Sequence, residues 1–144
     1  MLNPSRPYGI WAVGILCFSL LLFFYNIPRT ISKNVIWKRL TQTSGTISMI
    51  CLVLVFTNLH NIMIGISSVF GLFALIGIMK GVFTTTWTFF KYAGLFCIFL
   101  LVLNNVMYYT NFMVYWLPLL QKISFAVVLF WMMGLNFKLI SVKK

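Results

Sequence analysis

From position 8 to position 27 the chain runs for twenty residues, YGIWAVGILCFSLLLFFYNI, without one charged side chain. A helix of about that length crosses the ~30 Å hydrocarbon core of a bilayer. Four more apolar stretches follow, three of them free of charge. Inside lipid the backbone must satisfy its own hydrogen bonds, which leaves helices or a closed barrel. Barrel strands alternate apolar and polar residues over about ten positions, whereas GILCFSLLLFF and GLFCIFLLVL do not alternate. The expected fold is all-α: a polytopic transmembrane helix bundle of five spans, forming one domain over residues 1–144. The spans are expected at about 8–27, 43–59, 62–79, 92–109 and 119–139.

Composition agrees. Only 8% of the residues are charged, against about 25% in soluble domains, too few to cover a water-facing exterior. The first span is too long for a signal-peptide core and is expected to be retained, ending at Pro28. Residues 28–42 read as a polar connector, and the turn after the second span as a tight polar reversal over 58–61. The fourth span is expected to break at Asn104–Asn105. Cys17, Cys51 and Cys97 lie inside apolar runs with no metal-ligand spacing and no C-x-x-C, so they read as small buried hydrophobes.

The charges are one-sided in two senses. There are eleven Lys and Arg and no Asp or Glu. With five spans, Arg29, Lys33, Lys38, Arg39, Lys80, Lys91, Lys138, Lys143 and Lys144 fall on one side, and Arg6 and Lys122 on the other. Cation bias in short loops sets insertion, so the N-terminus is expected outside and the C-terminus in the cytoplasm. Tyr108, Tyr109, Phe112, Tyr115 and Trp116 would form the outer aromatic belt, and Trp37, Trp87, Phe89 and Phe90 the inner one. Membrane lipids, including anionic headgroups at the cytoplasmic face, are the expected partners. Nucleic acid is not, because no basic stripe or soluble module is present. The missing carboxylates exclude carboxylate-pair glycoside hydrolysis, an aspartyl dyad, a Mg²⁺ or Ca²⁺ site and a carboxylate proton relay.

Polar residues inside spans face protein rather than lipid. His60 and Asn61 lie where the second and third spans meet. Asn104 lies about 18 Å along its helix from Tyr92, beside Asn105. Gln121 and Lys122 open the fifth span, where a lysine commonly snorkels to the headgroups. These six residues are expected to form one polar cluster in the outer half of the membrane. Interhelical hydrogen-bond glue is the plainest role; a ligand or substrate pocket comes second and catalysis third. His60 is the sole histidine, with no carboxylate to orient it and no partners for zinc. No catalytic residue, metal or cofactor is expected. Gly65, Ser68 and Gly71, with the G-x-x-x-G pair Gly77 and Gly81, mark the third span for close helix packing.

Three stretches, NPSRPYG, LHN followed by IGISSVFG, and LPLLQKISFAVVLFWMM, occur in an order that resembles a bacterial and archaeal family of membrane proteins, domain of unknown function 998. The resemblance implies a six-span fold from which the first helix is missing here, which fits an odd span count with the N-terminus outside. It implies a prokaryotic cytoplasmic membrane, and matches the family's histidine to His60 and its polar pair to Gln121 and Lys122. The chain departs from the pattern at Gln121, where the family carries an acidic residue.

The expected function is that of a non-enzymatic lipid- or small-molecule-binding protein, or an accessory subunit of a membrane assembly that could include further copies of this chain. A transporter or channel subunit using the outer polar cluster is the alternative, and an intramembrane enzyme centred on His60 a second one.

Overall fold

The computed structural model describes residues 6–32, 34–56, 59–111 and 113–143. Ser5, Lys33, Asn58, Phe112 and Lys144, and the side chains of Arg6, Asn61 and Lys143, lie outside the described residues. Five helices follow one another: α1 (Arg6–Ile31), α2 (Val35–Val53), α3 (His60–Phe83), α4 (Thr88–Thr110) and α5 (Leu117–Lys143). Short 3₁₀ turns, Leu54–Phe56 and Val114–Trp116, lie between α2 and α3 and before α5. There is no strand among the described residues. Every helix is long and apolar enough to cross a membrane, and the protein is an integral membrane protein.

Helix ends depart from the sequence reading in four places, each for a local reason. Pro28 does not end α1 but sits inside it. Its missing N–H costs the bond to the Phe24 carbonyl, yet Ser32 N–H donates to the Pro28 carbonyl at 3.1 Å and carries the last turn onward. The connector expected over 28–42 shrinks because α2 begins at Val35. Asn34 caps it, accepting the Ile36 N–H on Oδ1 at 2.9 Å, and Lys38 and Arg39 become helical residues. Between α3 and α4 only 84–87 remain outside helix. There Thr84 and Thr85 donate both N–H and hydroxyl to the Gly81 and Val82 carbonyls. Finally, α4 runs unbroken through Asn104–Asn105.

Contacts gather the chain into two compact units, Met1–Ile78 and Met79–Lys144, with the boundary inside α3. In the first unit α1 packs on α2. Phe24, 2% exposed, fills the space above Gly45, where a Cβ would come within 2.5 Å of the ring. Gln42 Nε2 donates to the Tyr25 carbonyl at 2.8 Å and ties the two helices. Arg29 lies over the Tyr25 ring, 3.9 Å from its centre.

The contact of α2 with α3 is made of small residues. Thr41, Ser44, Gly45 and Ser48 are buried along α2, and Ser67, Ala74 and Gly77 along α3. A Cβ on Gly77 would collide with the Thr41 hydroxyl and lie 3.5 Å from its Cα. One on Gly71 would lie 3.2 Å from Ser48 Oγ. Gly71 and Gly77 thus lie on the face of α3 that meets α2. The Ser68 hydroxyl donates to the Gly65 carbonyl of its own helix at 3.0 Å, and the neighbouring Ser67 makes hydrogen bonds across to α2.

The second unit pairs α4 with α5. Gly94 admits Met79 and the Trp131 ring, and Gly134 faces Phe90, whose ring would lie 3.3 Å from an added Cβ. Trp131 Nε1–H donates to the Phe90 carbonyl at 3.0 Å, fixing a ring that is buried to 5% exposure.

Candidate functional site: two polar crossings and an apolar groove

Two pairs of polar side chains within the spans bond from helix to helix, Ser48 with Ser67 and Asn104 with Ser124. In the first unit Ser48 and Ser67 exchange hydrogen bonds across the α2–α3 contact. Ser48 Oγ donates to the Ser67 carbonyl at 2.8 Å, Ser67 Oγ donates to the Ser48 carbonyl at 3.0 Å, and the hydroxyls stand 3.2 Å apart. Each serine uses its partner's backbone, so neither hydroxyl carries an unmet donor into lipid, where the cost is several kcal/mol.

In the second unit the crossing is Asn104 to Ser124. Asn104 Nδ2 donates to Ser124 Oγ at 2.7 Å, and Ser124 passes its own proton to the Leu120 carbonyl at 2.7 Å. The buried Oδ1 of Asn104 finds no partner among the described residues. Asn105 instead turns its amide back to the Leu101 carbonyl at 2.8 Å, so its donor is met inside α4, which is continuous through both asparagines.

Of the six residues expected to share one cluster, His60 and Asn61 belong to the first unit and Asn104, Asn105, Gln121 and Lys122 to the second. His60 Nδ1 lies 2.8 Å from the Val55 carbonyl and closes the turn between α2 and α3. Gln121 and Lys122 are exposed on the second turn of α5. Within the second unit, the residue that Asn104 reaches is Ser124, which is not among the six. The available signal was its isolation: between Lys122 and Asn136 it is the sole side chain with a conventional hydrogen-bonding group other than Trp131.

A second omission is apolar. Phe89, Phe90, Ala93, Phe96 and Cys97 of α4 and Val127, Phe130, Trp131 and Gly134 of α5 line a groove of about 310 Å³. That is the lower end of the range for ligand pockets, ~300–1,000 Å³. Its residues recur at helical spacing along both helices, so it follows the helix pair lengthwise. Gly134 opens it; any larger side chain there would enter the space beside Phe90.

Compared with known proteins, the chain matches no family model, no curated protein and no solved structure.

Proposed function

We propose that this is a non-enzymatic membrane protein that binds lipid, drawing anionic headgroups to its cation-rich end. The observation that carries the reading is the charge inventory: eleven Lys and Arg with no Asp or Glu side chain to neutralise them. Their counter-charge must come from outside the side chains of this protein. At a membrane surface, anionic lipid is the abundant source, worth about 1 kcal/mol per basic residue. The groove between α4 and α5 supplies apolar surface beside that charge. The in-span polar groups offer little to chemistry, because the hydroxyls of Ser48, Ser67 and Ser124 and the amide N–H groups of Asn104 and Asn105 are engaged with neighbouring helical groups, and among the described residues the buried acceptor left over is the Asn104 Oδ1.

Native mass measurement of the full chain, released from membranes in mild detergent, tests this reading. The expected spectrum is the chain carrying one or more anionic phospholipids. A chain without lipid would refute it, and a lipid-free symmetric ring would favour the channel reading.

The cation asymmetry further supports a cytoplasmic C-terminus and an outer N-terminus, as in the inner membrane of a prokaryote. The check uses Ser5→Cys and Ser141→Cys, one at a time, in a background lacking Cys17, Cys51 and Cys97. An impermeant thiol reagent applied to intact cells should label position 5 and spare position 141. The opposite pattern would reverse the assignment.

A further inference from the structure

We propose that the α4–α5 groove is a phospholipid site, seating one acyl chain along its length and an anionic headgroup at Lys138. The inference rests on the lipid-binding reading above and gives it a place and a headgroup class.

Three observations converge on it. First, the groove is apolar throughout, lined by five aromatic rings with Ala93, Cys97, Val127 and Gly134. Measured by helical rise, Phe89 to Cys97 covers about 12 Å, room for part of an extended hydrocarbon chain. Second, Lys138 stands on the α5 stripe that lines it. Val127, Trp131 and Gly134 recur at intervals of four and three, and Lys138 follows Gly134 by four, one turn along the same face. Gly134 faces Phe90 near the start of α4, so the lysine lies about 6 Å beyond that level by helical rise. That is the groove's end, where a headgroup would sit if the chain lay along the rings. Third, Lys138 is exposed and no Asp or Glu exists anywhere in the chain to pair with it.

Lys91 sharpens the assignment because it lies in the first turn of the same α4 yet off the groove. It follows Phe90 by one position, about 100° around the helix, and its ammonium sits 5.9 Å from the centre of the Phe83 ring. Generic attraction of lipid to positive charge would use both lysines alike. A built site would use Lys138.

The experiment loads the purified full-length protein with mixed vesicles of phosphatidylglycerol and phosphatidylcholine, extracts it in mild detergent, and counts bound lipids by native mass. The wild type should hold one phosphatidylglycerol in preference to phosphatidylcholine. Lys138→Gln should lower that occupancy about fivefold, the worth of one lysine at an anionic surface. Lys138→Arg should restore it, and Lys91→Gln should leave it unchanged. Ala93→Leu, which plugs the groove without touching charge, should reduce both lipids; if that variant misfolds, Phe130→Ala, at an exposed lining position, should weaken retention in its place. Equal loss in Lys91→Gln and Lys138→Gln would overturn the site. So would retained anionic lipid that ignores Lys138 and the groove variants, although lipid binding itself would then stand. Retention of phosphatidylcholine as strongly as phosphatidylglycerol would overturn the headgroup class. A doubled mass lost on plugging the groove would show a second copy of the chain as its occupant.

Discussion

Gly77→Ala should cost about 2–3 kcal/mol of stability, the scale of overpacking a filled interior. The added methyl would collide with the Thr41 hydroxyl and approach its Cβ to 3.1 Å and its Cα to 3.5 Å. Thr41 has no exposed surface, and its hydroxyl already donates to the Trp37 carbonyl at 2.8 Å. Rotating it away would break that bond, so the helix itself would have to move. Thr41→Ala removes the nearest obstacle and leaves the Cβ contact, and the double variant should recover roughly half of the loss, an interaction typical of touching residues. Unfolding in mixed micelles of mild detergent and dodecyl sulfate would measure it. A Gly77→Ala protein as stable as the wild type would mean that α2 and α3 do not approach this closely.

Ser48→Leu should be at least as damaging, about 3 kcal/mol, while Ser48→Ala should cost about 1–2 kcal/mol. The two substitutions separate hydrogen bonding from space. Alanine deletes the reciprocal bonds with Ser67 but keeps the small volume, and interhelical bonds in membranes are worth about 0.6–2 kcal/mol. Leucine also needs room, and Ser48 Oγ already lies 3.2 Å from where a Gly71 Cβ would stand. In lipid there is little hydrophobic gain from helix association, so close packing and polar bonds carry the interface. The same unfolding assay applies. Leucine tolerated as well as alanine would argue that the serines bond without packing.

These contacts also show what the sequence could reveal and where it stopped. Five spans were legible because uncharged runs of membrane length have few alternatives. Their ends were not. Lys38 and Arg39 look like loop residues, yet long cationic side chains tolerate a helix near its end by reaching back to water, and Asn34 supplies the cap that decides the start. Gly65, Ser68 and Gly71 share a rough stripe in the sequence, while the serine that bonds across to α2 is Ser67. Since α3 is apolar all round, its periodicity marks no unique buried face, and one residue of phase separates the two serines. Asn104 faces protein, as a polar residue inside a span is expected to, and its amide reaches Ser124. Its partner could not be named without the pairing of α4 with α5, because a serine in an apolar run most often bonds its own helix, as Ser19 does. The groove had no sequence signature at all. Phenylalanines at helical spacing look the same whether they fill a contact or border an open channel.

The lengths of the helices carry a consequence for the surrounding bilayer. The range Leu117–Val142 of α5 includes Lys122 and Lys138, and the uncharged stretch between them, 123–137, has 15 residues, about 23 Å, roughly 7 Å less than an average hydrocarbon layer. In α1 the uncharged stretch 10–28 has 19 residues, about 29 Å, close to that thickness. A short stretch answers such a deficit by letting its lysines reach back to the headgroups, or the lipids around it thin, each at a fraction of a kcal/mol per Å. Thickness therefore acts unevenly along this chain: a thick membrane bears chiefly on α5, and a thin one relieves it.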